Sequence, residues 1–199
     1  MTCVGVLDHL VMGAASLQQA AAWCERELGV TPLAGGRHAL MGTHNCLLAL
    51  ASPEAPRAYL EFIAIDPEAE APTAHRRWFG LDDPATQARL AQGPALLHWV
   101  AEAGDLPRRR AALRRLGLDP GEPVAAQRGL LRWQISIRPD GQPQLGGALP
   151  ALIDWGDGAH PSAQLPASGW RLHRFQLDLL PAGLSATLIG PQGRLVTLP

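Results

Sequence analysis

Two histidines and two carboxylates recur at matching places in this chain. His9 lies in Val6-Leu7-Asp8-His9-Leu10-Val11, and His98 in Leu96-Leu97-His98-Trp99-Val100. Glu61 lies in Tyr59-Leu60-Glu61-Phe62-Ile63, and Asp154 in Leu152-Ile153-Asp154-Trp155, each at a comparable separation from its histidine. Imidazole and carboxylate together suit Zn, Fe, Mn or Ni rather than Ca. Three or four such ligands leave coordination positions open for the oxygens of a substrate. Residues two apart share a face of a strand. His9 then points with Leu7 and Val11, Glu61 with Tyr59 and Ile63, His98 with Leu96 and Val100, and Asp154 with Leu152. Each polar group is thereby aimed at a buried surface, where an unpaired carboxylate is costly. A lone histidine in a strand is more often a hydrogen-bonded core residue, and a lone Asp or Glu more often faces water. Repetition at matched positions weakens that bland reading without displacing it, since a duplication also preserves structural residues.

The elements that must position these groups recur as well. Residues 6–12 read as a strand. Ser16 is a good N-cap for the helix that follows, with Ala20, Ala21, Trp23, Cys24 and Leu28 at helical spacing and Gly29 as its stop. Residues 37–41, 46–51 and 58–65 read as three strands, with turns at Gly35-Gly36, Gly42-Thr43 and Ser52-Pro53-Glu54. After an irregular stretch with a short helix near 84–91, the order repeats. Residues 96–102 form a strand and 106–116 a helix beginning near Asp105 and Pro107 and ended by Gly117. Residues 122–128, 130–138 and 150–155 give three more strands. The fold expected is α+β, with two βαβββ modules (residues 1–66 and 95–158) joined by a connector (67–94). An extension over 159–199 adds two or three strands, packed at an edge.

Composition narrows the chemistry. The 199 residues include no lysine, which excludes a Schiff-base enzyme and a Walker A loop. Net charge is −1, so there is no electrostatic footprint for nucleic acid or an anionic membrane. Arg108-Arg109-Arg110 and Arg114-Arg115 recur at helical spacing and read as a solvated helix face. Cys3, Cys24 and Cys46 form no C-x-x-C pair, and so sparse a count fits a reducing cytoplasm. No signal peptide and no transmembrane run is evident.

Leu7-Asp8-His9-Leu10-Val11, the helix ending in Leu28-Gly29, and Tyr59-Leu60-Glu61 together resemble the vicinal oxygen chelate superfamily. Gly42-Thr43-His44-Asn45-Cys46-Leu47-Leu48 and Ile153-Asp154-Trp155 with His160-Pro161 are similar to its glyoxalase-like domain proteins. The resemblance spans roughly residues 5–161. It implies paired modules curled into a half-open barrel around a divalent metal (Zn, Mn, Fe or Ni). His9, Glu61 and His98 match its ligand positions. Asp154 stands in place of the commoner Glu, one methylene shorter. It also implies a lyase, isomerase or dioxygenase acting on a small organic substrate through vicinal oxygens, with Glu61 or Asp154 able to serve as general base. The alternative is a metal-free binding module of the same fold, in which His9 and Glu61 bond to each other. Either form is expected as a monomer or homodimer.

Five further residues are weaker cavity candidates. His44 and Asn45 line the cavity or cap a turn, and the turn is favoured. Arg132 and Gln134 alternate on one strand and offer an anchor for an anionic substrate. His160 precedes Pro161 in a loop, where a histidine is more often exposed than placed on a cavity rim. Trp99 and Trp155 each follow a proposed ligand and are expected to face away from the cavity. His38, His75 and His173 carry no supporting pattern.

Overall fold

Local chemistry sets the ends of the helices. In the computed structural model, which describes residues 5–179 and 182–199, strand β1 (Val6–Gly13) leads into helix α1 (Leu17–Leu28). The Ser16 side chain accepts a hydrogen bond from the Gln19 amide, and Gly29 closes the helix at φ 68°. That left-handed conformation favours glycine. Strands β2 (Leu33–His38), β3 (Thr43–Ala49) and β4 (Tyr59–Ile65) complete the first unit. A connector follows, with a short turn over Trp78–Gly80 and helix α2 (Pro84–Gln92) capped by Asp83. The second unit holds β5 (Ala95–Glu102), α3 (Leu106–Arg115) capped by Asp105, β6 (Glu122–Arg128), β7 (Leu131–Ile137) and β8 (Ala151–Asp154). Cys3 lies outside the described residues.

The eight strands form one curled sheet in the order β2-β3-β4-β1-β5-β8-β7-β6. The two opening strands, β1 and β5, meet antiparallel at its centre, and each lies parallel to the last strand of its own unit. The fold is thus the α+β half-barrel expected from the repeat. Its outer face carries Leu10, Leu60, Trp99 and Leu152, packed against Leu28, Leu106 and Leu113 of the helices. Leucines buried this fully contribute roughly 1.5–3 kcal/mol each relative to exposure. Its inner face carries Val11, Ile63, Val100, Ile135 and Ile153.

Two expectations change. Strand β2 begins at Leu33 and continues through Gly35-Gly36, which the sequence marks as a turn, with a register shift against β3 between Ala34 and Gly36; β3 begins at Thr43. A Cβ on Gly35 would sit 2.0 Å from Asn45 Oδ1, and one on Gly36 would sit 2.7 Å from Arg128 Cδ. These glycines therefore serve close approach by other side chains, not a reversal of the chain. The C-terminal strands β9 (Arg171–Leu179), β10 (Ala182–Ile189) and β11 (Leu195–Thr197) form a separate sheet. It lies over the outer face of the main sheet instead of extending an edge, with Phe175 against Trp99 at 5.2 Å between ring centroids. Among the described residues, no helix is long and apolar enough to cross a membrane.

Candidate active site

Strand β1 pairs in parallel with β4 so that Val11 lies opposite Glu61, and both His9 and Glu61 reach the inner face. His9 Nε2 stands 3.5 Å from Glu61 Oε2. Pairing of β1 with β5 skips a residue, from Leu7 opposite Ala101 to His9 opposite Val100. Asp8 is the extra residue of that bulge. A bulge re-aims a side chain that alternation would send to the other face. Asp8 is thus free to bond its neighbour: its Oδ1 lies 2.6 Å from His9 Nδ1. Its Oδ2 accepts from Trp155 Nε1 at 2.9 Å and faces His160 Nε2 at 3.1 Å. His160 Nδ1 accepts from the Ser162 amide, capping the short turn Pro161–Ala163. That leaves the His160 proton on Nε2, where it is donated to Asp8.

Glu61 is held from the other side. Asn45 Nδ2 donates to Glu61 Oε1 at 2.6 Å, while Asn45 Oδ1 accepts from the Gly36 amide at 3.0 Å and from Arg128 Nη1 at 2.8 Å. Tyr59 stacks on the His9 ring at 4.6 Å. His38 bonds Thr43 Oγ1 and meets Trp78 edge-on. Trp78, Phe79, Trp133 and Trp155 supply the apolar walls. The free space inside is about 20 Å³, room for about one water molecule.

Burial and charge pull these groups apart in pKa. Burial alone would neutralise His9, but the hydrogen bonds and charges of Asp8 and Glu61 outweigh it and raise its pKa to about 9. Burial likewise works against ionised Glu61, and His9 and Asn45 overcome it, lowering the group to about 2. Asp8 is held well below the usual carboxylate range, because His160 and His9 together outweigh its burial. Burial pushes the Tyr59 phenol well up, and the nearby Asp8 and Glu61 carboxylates add to that. At neutral pH the centre is an imidazolium between two carboxylates.

The structure brings His9 and Glu61 together and leaves His98 and Asp154 elsewhere. His98 Nε2 accepts the Ala151 amide at 3.1 Å, and its buried Nδ1 has no partner among the described residues. His98 lines a different cleft, with Ser136, Pro150 and Ala151. Asp154 caps a surface turn by accepting from the Gly156 amide at 2.8 Å. It follows Leu152 onto the outer side, because in this short strand Ile153 takes the inner face. Register explains the asymmetry. His9 plus two is Val11, opposite Glu61; His98 plus two is Val100, opposite Ala151. The second copy of Glu61 is therefore an alanine. A divalent ion was expected on His9, Glu61, His98 and Asp154, and these four do not form one ligand set. Among the described residues, no group of three or more His, Cys, Asp or Glu is placed to hold a metal ion.

Of the weaker candidates, Asn45 and His160 belong to the site. Asn45 sits within β3 and caps no turn. His44 points with Cys46 and Leu48 toward the outer face, again within a strand. Arg132 and Gln134 line an open surface groove with Asp154. Trp99 faces away from the cavity, bonding the Ala148 carbonyl, but Trp155 faces in. Asp8, His38, Tyr59 and Arg128 were not singled out from sequence. Asp8 adjoins His9, and the Gly35-Gly36 pair marks where Asn45 and Arg128 approach; those were the available signals.

A family model described as a glyoxalase-like domain matches residues 7–180. The chain belongs to that family. Glyoxalase-like domain proteins fall within the vicinal oxygen chelate superfamily, and the paired modules are the fold this membership entails. A comparison with curated protein sequences found no match. Solved structures similar to this chain include a methylmalonyl-CoA epimerase from Mycobacterium tuberculosis. It is 18% identical with a TM-score of 0.46, over 77% of this chain and 89% of that one. A single-substitution variant of the Streptomyces coelicolor methylmalonyl-CoA epimerase, in complex with 2-nitronate-propionyl-CoA, is 16% identical with a TM-score of 0.48. That match covers 79% of this chain and 99% of that one. A hypothetical protein from Bacillus halodurans is 14% identical with a TM-score of 0.47, over 74% of this chain and 91% of that one.

Proposed function

We propose that this glyoxalase-like protein is an isomerase or lyase that moves a proton on a small carbonyl compound held between His9 and Glu61. The observation that carries this reading is the facing of His9 Nε2 and Glu61 Oε2 at 3.5 Å in a small aromatic-walled cavity, with Asp8 behind His9. With Nδ1–H committed to Asp8, the charged ring presents Nε2–H as an acid. Glu61 presents the base. A carbonyl group parting the two would receive the His9 proton on oxygen. Glu61 would take the proton from the adjacent carbon, whose C–H electron pair becomes the C=C bond of an enol. Returning a proton at a different position or face completes an isomerisation; loss of a leaving group with its bonding pair from the next carbon, as the enol O–H returns its proton to His9 and the C=O re-forms, completes an elimination.

Glu61 at about 2 is a weak base while His9 contacts it. A substrate between them removes that contact and leaves the burial, which raises the carboxylate's proton affinity. The four-residue metal set is not assembled, so none of these steps is routed through an ion.

The test is exchange of carbon-bound protons into D2O, followed by NMR, for small 2-oxo acids and hydroxyketones. Wild type should exchange faster than buffer with chelator present, and Glu61→Gln and His9→Gln should not. If wild type matches buffer with chelator and also with added Zn, Mn, Fe or Ni, the enzymatic reading fails. The aromatic walls, and the His9–Glu61 contact expected of a metal-free binding module, favour a second reading, binding of a small molecule without chemistry. A ligand-induced rise in melting temperature with no exchange would select it.

A further inference from the structure

We infer that Arg128 is the anion-recognition group of this site and that its ligand is a small organic carboxylate. The inference rests on the His9–Glu61 cavity being where the ligand binds, and it adds the ligand's charge.

Arg128 is the last residue of β6, at the far edge of the sheet from β1. Its side chain nevertheless reaches the first unit, because Gly36 has no side chain to block it. Of the described residues lining the cavity, Arg128 alone is not buried. Arg128 is therefore the lining residue through which the cavity borders solvent.

The inner carboxylates are already matched. Asp8 is bonded by His9, His160 and Trp155, and Glu61 by His9 and Asn45. Arg128 makes no ion pair among the described residues and donates to Asn45 Oδ1 through Nη1. A guanidinium has five N–H donors in a planar fork that fits a carboxylate with two parallel bonds. With Nη1 bonded to Asn45, N–H donors remain for such a partner. The same Asn45 amide links Arg128 to Glu61, so an anion on the fork is set at a fixed distance from the acid–base pair. The sequence offered Arg132 and Gln134 for this task. Both line the outer groove, and the arginine on the inner face of the neighbouring strand takes their place.

Isosteric pairs test the charge directly: acetate against acetamide, and pyruvate against pyruvamide, titrated calorimetrically into the full chain. Wild type should bind each carboxylate at least about tenfold more tightly than its amide, about 1.4 kcal/mol. Arg128→Met should lose that preference, and Arg128→Lys should keep part of it. Circular dichroism and tryptophan emission matching wild type would show that both variants fold. Equal binding of acid and amide, no carboxylate binding at millimolar concentration, or a preference that survives in Arg128→Met would each overturn the inference. Proton exchange can be absent while the carboxylate preference holds, so failure of the enzymatic reading is separable from failure of this one.

Discussion

The Ala151 backbone amide donates to Nε2 of His98 at 3.1 Å, where the equivalent nitrogen of His9 faces Glu61. One histidine of the pair has become part of a wall and the other part of a reagent. Burial, aided by the nearby charge on His9, drives His98 down to about 3. The neutral ring is the form that accepts from Ala151. A histidine depressed on folding contributes stability above its unfolded pKa near 6.5, and that contribution fades as pH falls toward 3. His38, lowered to about 4 chiefly by burial, acts in the same direction. Urea denaturation at about pH 7.5 and about pH 5 should show wild type losing stability on acidification. His98→Gln keeps an acceptor for Ala151 without a titrating group and should lose measurably less. Equal losses would mean that His98 is not held neutral.

His9 has the opposite sign. Raised to about 9, it contributes stability that is complete below about pH 6.5 and is lost as pH climbs through 9. The His9 ring proton followed by NMR should titrate near 9 in wild type and markedly lower in Asp8→Asn. A midpoint unchanged by Asp8→Asn would remove Asp8 as the cause.

Trp155 donates to an ionised carboxylate that is almost fully buried. Trp155→Phe keeps most of the ring packing and deletes the donor. Hydrogen bonds to charged groups are worth about 1.5–3 kcal/mol, and the unfolding free energy should drop by that order. In an Asp8→Asn background the same substitution should cost less, which a double-mutant cycle measures. Strict additivity would show that the indole acts through packing alone.

Gly35→Ala places a Cβ 2.0 Å from Asn45 Oδ1 and 2.9 Å from the Asn45 carbonyl oxygen. The backbone cannot yield as a flexible side chain would, so a destabilisation of about 1–3 kcal/mol is expected. Any proton exchange should fall with it, since Asn45 orients Glu61. Gly93→Ala is the control, because nothing lies within 4 Å of its added Cβ. A melting temperature for Gly35→Ala equal to that of the control would mean that β2 is not tightly seated on β3.

The two strand–helix openings were legible because their ends are written in local chemistry: Ser16 and Gly29 for one helix, Asp105 and Gly117 for the other. His9 and Glu61 were legible because apolar neighbours two residues away fix their face. Asp8 was hidden by the same rule, since a bulge breaks alternation and alternation was the instrument of reading. Asp154 misled because β8 has four residues, too few for a pattern to say which of Leu152 and Ile153 lies inside. Gly35 and Gly36 looked like a turn because their reason for being small lies on β3 and β6, far along the chain. Arg128 could not stand out while the strand it crosses to was unknown.

The meeting of Gly36 and Arg128 closes the cup with one edge from each half of the chain. The two units thereby contribute different residues to one cavity. The first contributes His9 and Glu61. The second contributes Arg128, Trp133 and Trp155 to its walls, and Trp155 and His160 bond Asp8. Substitutions in the second unit can thus reshape the cavity while His9 and Glu61 stay as they are.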